Sequence, residues 1–345
     1  MQGKQDIRTL SLNQLIEALD QLGEKAFRAK QIYEWLWKKS AISFDEMTNL
    51  SKALREKLQA HFDILPVQID QTQISTDGTI KVAFQLHDNH FVEGVLIPTE
   101  KRATACISSQ VGCSLSCAFC ATGFLKRERN LSFAEIYDQV VLLNQLSNEH
   151  LGKDLSNIVF MGMGEPLLNY NNVKTAIKLI TSENGLNIAA KRITVSTAGI
   201  AKMIKKLADD NLRVNLALSL HAADDEKRNT IMAINEQNNI EVLIDALLYF
   251  QENSKSEITF EYILLDSVND TIDDAKNLVN LSKSVAIKVN IIEYNKIDQA
   301  DFKKATLHKR DAFTKYLHNN GVIVNVRRSR GKDIDAACGQ LANKV

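Results

Sequence analysis

The chain has 345 residues, 45% hydrophobic and 24% charged, which suits one large globular domain with an appendage, or two domains. No apolar run is long enough to cross a bilayer and the N-terminal MQGKQDIRTL lacks the apolar stretch of a signal peptide, so the expected address is the cytoplasm, with no membrane partner. Lysine plus arginine (42) balance aspartate plus glutamate (42), so net charge alone makes no case for nucleic acid; the five cysteines, four of them between positions 106 and 120, are not the spread framework of a secreted disulfide protein.

Residues 10 to about 63 read as helical. Leu12, Leu15, Ile16, Leu19 and Leu22 recur at helical spacing, and Ile32, Trp35 and Leu36 form a second apolar stripe, with breaks at Gly23 and SFDEM. Residues 65–98 read as β: VQIDQTQIS, TIKVAFQL and HFVEGVLIP alternate or run apolar between turns. From about 104 strands alternate with amphipathic helices. The expected strands are ATACISS, 157–162, 192–197, 213–220, 258–265, 287–294 and 322–327, and the helices between them include 171–183, 199–210, 240–253, 271–284 and 305–319. Repeated βα units imply an α/β fold with a parallel sheet and right-handed crossovers. With fewer than eight units, a partial (β/α) barrel is the preferred architecture and an open doubly wound sheet the alternative. In both, function sits at the C-terminal strand ends. From Phe302 to Lys332 there are nine basic residues and one acidic one, Asp311. The group Arg327, Arg328, Arg330 and Lys332 in a glycine-containing loop is a candidate phosphate-binding segment, although a solvated face is the plainer reading.

The densest chemistry lies in GCSLSCAFCATG, where Cys113, Cys117 and Cys120 follow a strand in a C-x3-C-x2-C spacing. Three thiolates on one loop can wrap an iron–sulfur cube and leave one iron open. A closed zinc site would want a fourth ligand, and no histidine stands nearby at the required spacing. Two further segments, MGMGEPL (161–167) and the pair ITVSTAG and LSLHA, lie at later strand ends. In that order the three resemble the radical S-adenosylmethionine (SAM) superfamily, in which the open iron chelates SAM and a glycine–glutamate motif meets its amino group.

Outside the cluster, Cys106 lies in RATACISSQVGC and Cys338 in DIDAACGQL; a lone cysteine is usually a small core filler, but Cys338 between a basic loop and a glycine is poorly placed for that. These segments, with FMGMGEPL, SLHA, GEKAFRAKQIYEWLW and SFDEMTNLSK, resemble the RlmN dual-specificity RNA methyltransferases over nearly the whole chain. The resemblance implies a radical-SAM partial barrel (99–330) preceded by a small helical RNA-binding module (1–64) and a β extension (65–98), and followed by a C-terminal segment (331–345) bearing the methyl-accepting cysteine. It implies a 4Fe–4S cluster on Cys113, Cys117 and Cys120. SAM contacts fall on Gly164, Glu165, Ser196, Ser219, Leu220, His221 and Asn295, and two SAM molecules are used per turnover. One SAM would methylate Cys338; a radical from the second would take hydrogen from that methyl group, and the resulting methylene would add to C2 of an adenine. Cys106 would then attack the sulfur of Cys338, releasing RNA and leaving a disulfide to be reduced. Glu93, on its own merely a strand carboxylate, matches the family's acid/base glutamate. The implied partners are 23S rRNA near the peptidyl-transferase centre, tRNA beside the anticodon, and an external flavodoxin-type electron donor, with the enzyme a monomer. Two rivals stand beside this reading: a Cfr-type C8 methyltransferase, against which Pro166 in the glutamate motif counts, and a non-catalytic cysteine-cluster protein that binds RNA or senses redox state, which would have no use for Cys106 and Cys338.

Overall fold

The helical periodicity at the N-terminus produces three short helices that need a partner to bury their apolar faces. In the computed structural model, which describes residues 4–343, strand β1 (Gln5–Asp6) pairs in parallel with β2 (Phe62–Asp63), and helices α1 (Leu12–Gln21), α2 (Phe27–Trp37) and α3 (Lys52–His61) lie between them. A capping box formed by Ser11 and Gln14 starts α1, and the Ser51 side chain caps α3. Both satisfy amides that the first helical turn leaves without partners.

The main sheet begins with an antiparallel meander, β3 (Gln68–Ile74), β4 (Ile80–Gln85), β5 (Phe91–Pro98) and β6 (Ala103–Cys106). A two-rung antiparallel ribbon follows, β7 (Gln110–Val111) with β8 (Arg129–Asn130), and its long connection carries the three clustered cysteines. Then come α4 (Phe133–Leu151), β9 (Asn157–Phe160), α5 (Tyr170–Thr181), β10 (Ile193–Thr197), α6 (Ala201–Asp209), β11 (Asn215–Ser219), α7 (Asp225–Ile231), α8 (Ile240–Asn253), β12 (Ile258–Leu264), α9 (Ile272–Ser284), β13 (Lys288–Glu293), α10 (Leu307–Asn319) and β14 (Ile323–Arg327). β6 and β9–β14 are all parallel, and the ten-stranded sheet runs β14-β13-β12-β11-β10-β9-β6-β5-β4-β3. The order never reverses. A doubly wound sheet must reverse at a switch point, so this is a singly wound partial barrel of seven parallel strands extended by the meander.

The helical module packs on α4. Trp37 meets the Tyr137 ring edge-on at 5.2 Å, and the Tyr137 hydroxyl donates to the Trp37 carbonyl. Arg8, almost wholly buried, donates to Asp138 at 2.7 Å. One apolar core runs from Ile7, Leu15 and Leu58 through Val140 and Phe160 to Val289 and Phe313. No helix among the described residues is long and apolar enough to cross a membrane.

Beyond β14 the chain crosses to the far edge of the sheet. Asp77, in the β3–β4 turn, accepts from the Gly331 amide at 3.0 Å, and Asp333 accepts from the Thr76 amide at 3.0 Å and from the Ser75 hydroxyl. These ties join the two edges and set the course of the C-terminal segment over the open ends of the strands.

Candidate active site

The cysteine loop leaves the β7–β8 ribbon through Gly112, whose φ is +74°; a Cβ there would lie 2.1 Å from the Lys126 carbonyl, so only glycine fits. Cys113, Cys117 and Cys120 all face a cleft of about 900 Å³ at the C-terminal strand ends. Burial pushes the Cys113 thiol up to about 11, with Cys120 and Glu165 adding to it. Burial first, then Cys120 and Cys113, push Cys117 higher still. The three thiols feel one another, yet no group of three or more His, Cys, Asp or Glu among the described residues converges on a single metal ion. A cube of four irons presents its metals at separate corners, so its thiolates need not converge. Buried thiols that repel one another as thiolates also fit a cationic group that would replace their protons.

The opposite wall comes from the ends of β9, β10 and β11. Gly164 has φ +91°, and a Cβ on it would meet the Gln110 side chain at 2.5 Å. The close approach lets the Gln110 side-chain oxygen accept from the Glu165 amide at 2.9 Å. The Glu165 carboxylate is buried and accepts from the amides of Leu167 (3.0 Å) and Ala198 (2.7 Å). Burial outweighs those two bonds and raises it to about 7. Ser196 and Ser219 line the same cleft, as does His221. His221 sits in the left-handed region (φ +60°), its Nδ1 accepts from the Ile263 amide at 3.1 Å, and its ring stands edge-on to Phe119 at 4.7 Å. Burial and then Arg228 push it down to about 3, so it is neutral. Leu220 is buried behind this wall rather than lining it.

A second cavity adjoins the first, sharing Cys120, Thr122, Met161, Gly162, Ile292, Cys338 and Gly339 with it. Its wall brings together Cys106, Cys338, Arg327 and Arg328. Cys106 is buried, Cys338 is exposed, and neither is in a disulfide. The segment carrying Cys338 is stitched in place through its carbonyls, by one backbone amide and two side chains. Ala121 donates to the Gly339 carbonyl (2.7 Å), Thr122 to that of Leu341 (2.6 Å), and Asn295 to that of Cys338 (3.2 Å). Glu93 is buried but lines neither cavity. Its carboxylate accepts from the amides of Ala342 (2.8 Å) and Asn343 (3.1 Å) and lies 3.5 Å from the Lys81 ammonium. Arg327 departs from the expectation of a free loop cation: it ends β14 and pairs with Glu261 at 3.3 Å.

Two residues of this site carried no signal in the sequence. Arg228, wholly buried, donates to the carbonyls of Leu220 (3.0 Å) and Ala198 (2.6 Å) and to the Asn235 side chain (2.6 Å), tying the ends of β10 and β11 together. Glu261, midway along β12, lies in the wall of the cleft. Both are ordinary charged residues in the sequence, and only long-range packing gives them a place.

Residues 107–281, just over half the chain, match the family described as the Radical SAM superfamily, and residues 5–64 match the Ribosomal RNA large subunit methyltransferase N-terminal domain. A crystal structure of a radical SAM methyltransferase from Sphaerobacter thermophilus superimposes with a TM-score of 0.92 at 38% identity, covering 98% of this chain and 99% of that one. The fold and the cleft at its strand ends are those of a radical SAM methyltransferase. Relatives named dual-specificity RNA methyltransferase RlmN extend the likeness along the chain. The one from Pelobacter propionicus is 43% identical over 345 residues, covering 100% of this chain and 98% of its own. One from Cytophaga hutchinsonii, named "Probable dual-specificity RNA methyltransferase RlmN", is 60% identical over 341 residues, covering 99% and 93%. This chain belongs to the RlmN family of radical SAM RNA methyltransferases. Membership implies a 4Fe–4S cluster and SAM, and the donor set described above suits both.

Proposed function

We propose that the protein methylates C2 of an adenosine in 23S rRNA and in tRNA, with Cys338 carrying the methyl group. The observation that carries this reading is that Cys338 lines both cavities. A thiol at that junction can receive a methyl group from the cysteine-and-glutamate side and deliver it to a base on the Cys106 side.

Cys113, Cys117 and Cys120 would hold the cluster and leave one iron for the amino and carboxylate groups of SAM. When bound, the cluster and SAM supply a carbon radical able to take hydrogen from a methyl group. Glu165 would accept the SAM ammonium. Ser196, Ser219, Leu220, His221 and Asn295 would hold the rest, through backbone as well as side chains. Two SAM molecules serve each turnover, one as methyl donor and one as radical source, with the electron coming from a flavodoxin-type donor. Glu93 takes the C2 proton as the adduct, itself a radical, returns one electron to the one-electron donor; this role requires Ala342 and Asn343 to release its carboxylate when RNA binds. Cys106 then attacks the sulfur of Cys338. The S–S bond forms and the S–CH2 bond breaks, with its electron pair passing to the methylene carbon, where one proton completes the methyl group. The sulfurs are oxidised by two electrons and the carbon is reduced by two, so an external reductant must reopen the disulfide. The helical module and the exposed Arg328 are the RNA contacts. The base is extruded into the second cavity, since an atom inside a stacked helix is out of reach. The protein works as a cytoplasmic monomer.

The test is to incubate anaerobically reconstituted protein with SAM, reductant and 23S rRNA, then analyse the nucleosides by mass. The expected product is 2-methyladenosine. The C8 isomer, or no methylation while SAM is cleaved, would contradict the reading.

A further inference from the structure

We propose that Arg327, braced from behind by Glu261, is a positioning residue for the release step, holding positive charge against the sulfur of Cys106 as that thiol attacks Cys338. The inference rests on the roles given to Cys106 and Cys338 above and adds the group that makes the attack feasible. Only the thiolate is an effective nucleophile in disulfide formation. Cys106 is badly placed to form one. It lies on a central strand between Val95 of β5 and Val159 of β9, only 7% exposed, and burial drives its thiol up to about 12.

The charged surroundings single out one cation. Arg327 shares a cavity wall with both sulfurs, Cys106 and Cys338; its charge lowers the Cys106 thiol, which Cys338 raises, and its own cation, against the cost of burial, is favoured first by Cys338, then by Glu261 and Cys106. Arg328 and Arg330 also line that cavity, but Arg328 is exposed. On β5, Glu93 stands two residues from the partner of Cys106, with its carboxylate taken up by Lys81 and the tail amides. Arg327 is fixed where a free loop cation would not be. One guanidinium nitrogen lies 3.3 Å from Glu261 Oε2 and 3.8 Å from the Met161 sulfur. Glu261 is itself held, its Oε1 accepting from Asn290 at 2.7 Å and Thr259 at 3.1 Å. A buried carboxylate held by two neutral donors is a rigid anchor for the cation it pairs with.

Release obeys Cys106→Ala as a control, because a protein without the attacking thiol should remain linked to RNA. Single-turnover release of RNA from the covalent adduct is to be followed on denaturing gels between pH 6.5 and 9.5 for wild type, Arg327→Gln and Arg327→Lys. Each unit of pKa changes the thiolate fraction about tenfold. Loss of the cation should therefore displace the release profile of Arg327→Gln to higher pH; because the whole range lies below the titration of the buried Cys106 thiol, release should be slowed by a constant factor while both rates climb about tenfold per pH unit. Arg327→Lys should stay close to wild type. A profile for Arg327→Gln that superimposes on wild type, or an Arg327→Lys variant slowed as much as Arg327→Gln, overturns the inference. So does weaker RNA binding with release unchanged, which would make Arg327 a phosphate contact. If Cys106→Ala itself accumulates no adduct, the reading of Cys106 fails first and the inference falls with it.

Discussion

Replacing Glu165 with glutamine should stabilise the metal-free protein at alkaline pH while damaging its binding of SAM. The carboxylate is buried and stands near pH 7 instead of 4.5, despite the amides of Leu167 and Ala198. A group whose folded pKa lies above its unfolded value favours the fold fully below the unfolded pKa, and that contribution is lost as pH rises through the folded one. Here the window runs from about 4.5 to about 7. At 1.36 kcal/mol per unit, the ionised carboxylate costs about 3 kcal/mol of stability above it. Glutamine does not titrate, but its amide group must turn one NH2 towards a backbone N–H, a penalty of about 1–3 kcal/mol at every pH. Only the first effect depends on pH. Thermal unfolding of the two proteins from pH 4.5 to 8 should show wild type losing about 3 kcal/mol relative to the variant, roughly 4 °C in relative Tm for a chain of 345 residues. In reconstituted protein the variant should bind SAM about tenfold to a hundredfold more weakly, the worth of a hydrogen bond to a charged group. Parallel stability profiles would refute the argument that burial dominates this carboxylate.

Replacing Cys113, Cys117 and Cys120 together with alanine should abolish iron binding and SAM cleavage while the far-ultraviolet circular dichroism stays native; stoichiometric zinc without iron in reconstituted wild type would contradict the assignment. Arg228→Met removes three charge-assisted bonds at 2.6–3.0 Å but also a buried cation, so the net loss should be about 2–4 kcal/mol, read from urea unfolding. Arg328→Gln should lower RNA affinity and reduce the slope of log affinity against log salt by about one, measured by filter binding; an unchanged slope would move the RNA elsewhere.

What could be read from the sequence was whatever is local. The spacing of Cys113, Cys117 and Cys120, the glycine–glutamate pair at 164–165 and the strand ends at Ser196 and Ser219 each fall within a few residues, where chain geometry alone brings side chains onto one loop or rim. Apolar runs gave the strands, and their alternation with helices gave the barrel. The choice between partial barrel and doubly wound sheet needed the strand order, which is decided by pairing between strands 21 to 53 residues apart, beyond any local pattern. The same limit hid Arg228, whose partners are the carbonyls just beyond two strands and the Asn235 side chain. It hid the clasp of Asp333 on Ser75, 258 residues apart. It also hid the ion pair of Arg327, since a basic residue near a glycine loop gives no sign that Glu261 waits two strands along the sheet. Glu93 matched the family by position, but its bonds to Ala342 and Asn343 join segments about 250 residues apart, beyond any local pattern.

The central claim, that the methyl group passes through Cys338 before it reaches adenine C2, is tested most directly by supplying SAM with a fully deuterated methyl group in ordinary water. On this account the S-methyl group of Cys338 loses one deuterium to the radical and regains one proton when Cys106 severs the S–CH2 bond. The RNA should therefore yield 2-methyladenosine with two deuterium atoms in its methyl group. Three deuterium atoms would mean direct transfer from SAM to the base, and the account of Cys338 and Cys106 would be wrong.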